Sequence, residues 1–212
     1  QRQMCIRDRS TVYAGSVTKR CGKIGIKYLT PMNADDCIKE IKHRLYAFRN
    51  GIVADCLRRS GAPYRVIFGV NLPQLSEIAT SIKPSAEIAG KLWDTASTRE
   101  CMLLAPMIFP PEEMDIDTAR RWIKAVTTTE IADVLCLKLL KHLDHAPALA
   151  DEFMVSDRAL DRYTALRLLF NLLPARLAET KAYAQVEMSR DDSVTYPIAR
   201  ALIEGISFLE EG

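Results

Sequence analysis

The amino-acid sequence predicts an all-α fold, built from short helices that follow one another closely. From residue 34 onward, apolar side chains recur at intervals of three and four residues, which is the period of an amphipathic helix. Prolines, serines and threonines separate the helix-length segments. The chain has only nine glycines and 7% aromatic residues among its 212 residues. This composition argues against a β-sandwich or a β-barrel with its many turns.

The first predicted helix begins near residue 34 and extends toward residue 60. Its apolar stripe consists of Ile38, Ile41, Leu45, Phe48, Ile52 and Cys56. Asn33 or Asp35 can cap its start, and Asn50-Gly51 is expected to kink it or end it. Residues 64–70 are β-branched and aromatic. Because a lone strand has nothing to pair with, we interpret them as an extended connector.

Further helices are predicted for most of the remaining chain. They cover residues 73–82, 85–95, 98–108, 115–126, 129–143, 147–155, 157–173, 175–188 and 196–210. Because the connections between them are short, neighbouring helices are expected to pack antiparallel. Two architectures satisfy this pattern, a globular bundle and a solenoid of helix pairs.

The net charge of +2 is distributed unevenly along the chain. Residues 1–30 hold seven basic residues and one acidic residue, and they show no helical period. We therefore expect residues 1–33 to be a leader, either disordered or not native to the protein, and residues 34–212 to be the helical domain. A basic N-terminal portion suits a phosphate-bearing partner, but charge in a disordered leader explains the asymmetry equally well.

The cysteines and the apolar stretches indicate the compartment. None of the six cysteines is spaced as Cys-x-x-Cys, and none lies near a histidine with zinc-ligand spacing. Free thiols of this kind suit a reducing cytosol, so we expect a cytoplasmic protein. No apolar stretch approaches the roughly twenty residues of a membrane-spanning helix, and we therefore expect no membrane association.

Several motifs follow one another between residues 36 and 173. They are GVNLPQLSEIA at 69–79, LW at 92–93, RECMLLA at 99–105, WI at 122–123, IAD at 131–133 and LDRYTAL at 160–166. In this order and spacing, they resemble the motifs of the DNA alkylation repair enzyme family, which are HEAT-like-repeat DNA glycosylases.

The resemblance implies both a fold and an activity. The fold would be a curved solenoid of HEAT-like repeats, in which antiparallel helix pairs stack on one another. The activity would be hydrolysis of the N-glycosidic bond of cationic alkylated purines, without a metal or an organic cofactor. The partner would be duplex DNA, bound by a monomer through the phosphate backbone.

The resemblance also assigns roles to individual residues. Asp133 matches the family's aspartate, a fixed carboxylate that stabilises the positive charge on the sugar in the transition state and orients water. Arg162 matches the family's arginine near the lesion, in the role of a phosphate contact. From charge alone, the helix before Asp133 adds the DNA-binding candidates Arg120, Arg121 and Lys124. Other basic candidates are Lys39, Lys42, Arg49, Arg58 and Arg59.

The sequence departs from the family pattern beside Asp133. Thr129 stands where the family places a tryptophan against the deoxyribose, and no tryptophan follows Trp122. We assign Thr129 to the substrate site and expect weakened activity, with Trp93 and Trp122 packed in the core. Ordinary ion pairs, or surface exposure, remain alternatives for Asp133 and Arg162. For the protein, the alternatives are a non-catalytic HEAT-like module that binds nucleic acid or protein, and a purely structural helical bundle.

Overall fold

A computed structural model describes residues 33–211, and this part of the chain consists of helices joined by short connections. The α-helices are α1 (Ala34–Ala47), α2 (Gly51–Arg59), α3 (Leu72–Thr80), α4 (Ala86–Asp94), α5 (Arg99–Ile108), α6 (Ile116–Ala125), α7 (Thr129–Lys138), α8 (Ala146–Met154), α9 (Ala159–Asn171), α10 (Leu177–Arg190) and α11 (Tyr196–Glu211). Within residues 33–211, β-pairing is limited to one isolated bridge, between Val66 and Thr98. The predicted all-α class is confirmed, and residues 1–32 of the predicted leader lie outside the described residues.

The helices are arranged in two layers. Helices α3, α5, α7, α9 and α11 each pack against the next and form one layer. In the other layer, α1 contacts α4, α4 contacts α6 through two stacked tryptophans, and ion pairs join α6 to α8 and α8 to the start of α10. Successive helices such as α8 and α9 pack across the layers. This is the stacking of a solenoid, and it excludes the closed-bundle alternative.

The segment from residue 34 toward residue 60 forms two helices, α1 and α2, so that the helix ends near Asn50-Gly51, one of the two outcomes expected of this dipeptide. The first ends at Ala47, and Asn50 caps the second, since its Oδ1 accepts hydrogen bonds from the backbone N–H groups of Ile52 (3.1 Å) and Val53 (3.2 Å). Of the two candidate caps for α1, Asn33 is the one used, and it accepts from the N–H of Asp35 at 3.2 Å. Residues 64–70 form the expected extended connector.

Helix α7 is shorter than the predicted segment 129–143. Leu139 leaves the helical conformation, with φ −130° and ψ −64°, and a short 3-10 helix, Leu140–His142, follows it. Leu139 and Leu140 are fully buried and Leu143 nearly so. The turn therefore places three leucine side chains in the core, and this burial outweighs the helical periodicity.

The two tryptophans lie in the core between α4 and α6. Their rings are parallel, with centroids 4.3 Å apart, and Phe109 meets Trp122 edge-on at 5.3 Å. Trp93 and Trp122 are 4% and 5% exposed, so they hold two neighbouring repeats together. The expectation that both tryptophans pack in the core is met.

A buried ionic network joins the connector to α5 and α7. The carboxylate of Glu100 accepts hydrogen bonds from the backbone N–H groups of Phe68 (3.1 Å) and Gly69 (2.9 Å) and from Arg99 (2.9 Å). Arg99 also pairs with Glu130, in the first turn of α7. The network satisfies backbone donors that have no helical or strand partner.

None of the helices within residues 33–211 is long and apolar enough to cross a membrane.

Candidate functional site

Asp133 lies on α7 and faces α9. Its Oδ1 accepts a hydrogen bond from the Tyr163 hydroxyl at 3.0 Å. The Nε of Arg167 lies 3.1 Å from the same oxygen, without the alignment of a hydrogen bond. Tyr163 and Arg167 are one turn apart on α9, so that both reach the same carboxylate from one helix face.

The surroundings of Asp133 act on its pKa in opposite directions. Burial raises the pKa, the charge of Arg167 and the hydrogen bond from Tyr163 lower it, and the net effect is a pKa above the ordinary value of 3.8. Burial and the neighbouring carboxylate raise the pKa of Tyr163 well above its usual range. Tyr163 therefore remains a protonated donor at neutral pH.

One face of α7 is open beside the carboxylate. Thr129, Asp133 and Leu137 follow one another at four-residue intervals and share this face. Thr129 is exposed, and the Asp133 and Leu137 side chains are 37% and 40% exposed. No described residue donates a hydrogen bond to Oδ2 of Asp133. The protein therefore holds the carboxylate through one oxygen and leaves the other without a hydrogen-bond donor among the described residues.

The sequence interpretation missed Tyr163 and Arg167. A signal was present, because the two residues are four apart in a predicted helix and are both able to partner a carboxylate. Nothing in one sequence says, however, that this helix packs against the helix of Asp133. The neighbouring Arg162 was chosen instead.

Arg162 points into the protein and away from Asp133. Its side chain is only 6% exposed. Its guanidinium donates to Glu187 (3.2 Å), to Asp192 (3.1 Å) and to the backbone carbonyls of Ser156 (2.9 Å) and Asp157 (2.8 Å). This placement conflicts with the expected phosphate contact, because a phosphate could approach only if several of these bonds broke. Arg162 forms no ion pair with its neighbour Asp161, and that carboxylate pairs with Arg158 instead.

The basic residues of α6 lie in the other layer of the solenoid. Arg120 forms ion pairs with Glu152 of α8 (2.8 Å) and with Asp117 (2.9 Å). Arg121 donates to the Thr118 hydroxyl at 2.9 Å. Lys124 is exposed and forms no ion pair with a described residue. The structure therefore does not gather these cations around Asp133, although they are close to it in sequence.

The same three residue types meet a second time, between α8 and α10. Asp151 accepts from the Tyr183 hydroxyl at 3.1 Å, and one terminal nitrogen of Arg176 lies 3.0 Å from each of its carboxylate oxygens. This second trio joins two neighbouring repeats. It differs from the Asp133 trio in that both of its carboxylate oxygens accept hydrogen bonds.

The profile of the family described as DNA alkylation repair enzyme matches residues 41–192. The chain belongs to the DNA alkylation repair enzyme family. A search of curated proteins finds no match. A solved structure of "a new family of proteins related to the HEAT-like repeat DNA glycosylases with affinity for branched DNA structures" is similar in fold, with a TM-score of 0.69. It is 19% identical in sequence, and the match covers 77% of this chain and 73% of that one.

These comparisons agree with the two-layer arrangement. The repeats of this DNA alkylation repair family member are HEAT-like, as expected from its motifs. At 19% identity, the similarity to the solved structure concerns the fold. The chemistry of this chain has to be argued from its own side chains.

Proposed function

We propose that this protein binds duplex DNA on the open face of α7 and α9 and slowly hydrolyses the N-glycosidic bond of cationic alkylated purines. The observation that supports this proposal is the Asp133 carboxylate, which is half-buried, is held through Oδ1 and accepts no hydrogen bond from a described residue at Oδ2. Membership of the DNA alkylation repair enzyme family supports the substrate class.

Hydrolysis of this N-glycosidic bond requires few catalytic groups from the protein. An alkylated purine that carries a positive charge leaves as a neutral base and takes the electron pair of the glycosidic bond with it. The sugar is then cationic, water adds to C1′, and one proton of that water is released. A carboxylate beside the sugar stabilises the cation and orients the water, most strongly where bulk water is excluded. Asp133 has the burial and the free oxygen for this role.

Arg167 would contribute in two ways. While it lies beside Asp133, its charge offsets that of the carboxylate. Its Nε is not aligned for a hydrogen bond, and no described residue accepts one from the guanidinium. A DNA phosphate could therefore draw Arg167 toward the backbone, which would anchor the DNA and leave the negative charge of Asp133 less compensated.

A second candidate function is DNA binding without catalysis. Two observations favour it: Thr129 is too small to fix a deoxyribose, and Arg167 offsets the charge of Asp133. The structurally similar protein has affinity for branched DNA. In this alternative, the Asp133 trio joins neighbouring repeats, as the Asp151 trio does, and the exposed cations bind DNA phosphates.

Release of methylated purines from alkylated duplex DNA separates the two functions. The enzyme proposal expects wild type above background, Asp133→Asn at background, and Thr129→Trp at least as fast as wild type. A tryptophan that restored about 3 kcal/mol of transition-state stabilisation would raise the rate by a little over a hundredfold. Asp151→Asn is the matched control, since it removes the equivalent carboxylate of the other trio and should leave excision unchanged.

The binding arm of the experiment uses the same variants with intact duplex DNA and a four-way junction. If wild type and Asp133→Asn release purines equally while both bind DNA, the enzyme proposal fails and the binding module replaces it. If neither DNA binds at about 50 mM salt, both proposals fail, because phosphate contacts are strongest at low ionic strength.

A further inference from the structure

A second surface, formed by α1 and the start of α2, has the composition of a nucleic-acid interface. Lys42, Tyr46 and Arg49 recur at intervals of three and four residues on the outer side of α1 and at its end, and Ile52 lies in the first turn of α2. We call these four residues the N-terminal stripe. Tyr46 is 58% exposed and Ile52 is 82% exposed. Two large side chains are therefore in contact with solvent beside the basic residues of the stripe.

The aromatic and cationic members of the stripe are already organised. The guanidinium of Arg49 lies over the ring of Tyr46, 3.9 Å from its centroid. One terminal nitrogen of Arg49 also donates to the Tyr46 carbonyl at 3.0 Å, which fixes the stack. Within residues 33–210, no carboxylate forms an ion pair with Arg49 or Lys42. The stripe therefore presents a flat stacking platform with uncompensated positive charge.

A cavity of about 560 Å³ adjoins the platform. Asn50 and Asn71 contribute to its lining, and each uses its Oδ1 to cap a helix. Their amide Nδ2 groups donate to no described residue, so they remain available to an acceptor such as a phosphate oxygen. The exposed side chains of Ile52 and Val53 supply apolar contact at the same cavity.

The charge of this region selects the class of partner. Residues 33–65 contain seven basic and four acidic residues, whereas residues 66–212 contain 15 basic and 22 acidic residues. A polyanion is therefore attracted to the region of the N-terminal stripe more strongly than to residues 66–212. An exposed aromatic ring and exposed aliphatic side chains make little contact with the bases of a duplex, because those bases are paired and stacked inside the double helix. They suit unpaired bases, which offer an apolar face.

We propose that the N-terminal stripe binds single-stranded DNA. An unpaired base stacks on the Tyr46–Arg49 platform, Ile52 contacts the base or its sugar, and Lys42 and Arg49 contact the flanking phosphates. This inference goes beyond the proposed function, since it needs neither Asp133 nor an alkylated base. It gives the protein two DNA-binding surfaces, one for a duplex and one for an unpaired segment.

The test is fluorescence anisotropy with labelled oligothymidylate of about 20 nucleotides, compared with a duplex of equal length. The double variant Tyr46→Ala/Arg49→Ala should lose affinity for oligothymidylate by about tenfold or more, the loss of one base stack and one phosphate contact. Its affinity for the duplex should change less than about twofold. The matched control is Phe208→Ala/Arg200→Ala on α11, which removes another exposed aromatic residue and another exposed arginine. The control should bind both probes as wild type does.

Three outcomes overturn the proposal: wild type fails to bind oligothymidylate, the double variant binds it as tightly as wild type, or the control loses as much affinity. The first would leave the stripe as a surface for a protein partner. Both side chains of the double variant are exposed, so an unchanged thermal melting curve will show that it folds. Asp133→Asn should bind oligothymidylate as wild type does, which separates this proposal from the enzyme proposal.

Discussion

Arg162 distinguishes a structural arginine from a phosphate contact, and its substitution can be predicted quantitatively. Its guanidinium has four acceptors, two of which are the carboxylates of Glu187 and Asp192. Glu187 is fully buried. Without Arg162 it would retain only Arg190, whose Nε lies 3.1 Å away on the protein surface. Removing one partner of a buried ion pair costs about 3–5 kcal/mol, because the other charge is left buried.

The expected change in melting temperature follows from the size of the domain. For a domain of 150–250 residues, each kcal/mol lowers Tm by about 2–4 °C. Arg162→Ala should therefore lower Tm by roughly 6–20 °C. Arg162→Lys keeps the charge but loses the planar guanidinium group, which reaches α10 and two backbone carbonyls at once. We therefore expect Arg162→Lys to lower Tm by about half as much as Arg162→Ala, or more.

Thermal unfolding followed by circular dichroism measures both variants, and Arg190→Ala is the control. That substitution removes the exposed partner of the same Glu187, so its cost should stay below about 1 kcal/mol. DNA affinity is then measured at a temperature where every variant is folded. A phosphate contact would behave in the opposite way. Arg162→Ala would melt within about 2 °C of wild type and bind DNA more weakly, Arg162→Lys would retain affinity, and the structural interpretation would be refuted.

Three further predictions concern the open site and the connector. Arg167→Ala should weaken duplex binding and lower the salt slope of log affinity by about 0.9, the value for one phosphate; an unchanged slope in anisotropy titrations would contradict this. Burial raises the pKa of Asp133 above 3.8, so the folded protein binds this proton more tightly than the unfolded chain does. The stabilisation that comes from the protonated carboxyl group is present below pH 3.8 and is lost as the pH rises through the folded-state pKa. The urea midpoint of wild type should therefore fall relative to that of Asp133→Asn between about pH 3 and pH 6, and a constant difference would refute this. Gly69→Ala should cost roughly 2–5 kcal/mol in urea unfolding, since the backbone has φ +76° and the new Cβ would lie 2.2 Å from the Asn50 carbonyl oxygen; a loss below about 1 kcal/mol would contradict it.

Most of the helices could be predicted from the sequence, because the signals that define them are local. Apolar period, caps and prolines act within a few residues, so the predicted boundaries agree with those of α3 to α6 to within a few residues. Asn50-Gly51, which was expected to kink or end the first helix, separates α1 from α2, and Asn50 caps α2. The exception is the end of α7, where burial of Leu139 and Leu140 prevailed.

The order of the motifs also led to the family without any tertiary information. Helix pairs of a solenoid contact mainly their neighbours, so their residues keep a fixed order and spacing along the chain. The same motifs indicated Asp133, and the structure places that carboxylate on a face which remains partly open.

The partners of the site residues are decided by the tertiary structure alone. Arg162 and Arg167 occupy the same helix and have the same chemistry, and only the packing of α9 turns one toward α10 and the other toward Asp133. Likewise, Arg120 is close to Asp133 in sequence yet pairs with Glu152 in the opposite layer. A charge acts through space over a few ångströms, and the distances between helices are set by the burial of apolar faces. The sequence therefore determined which residues could carry the chemistry, and the packing of the layers decided which of them meet.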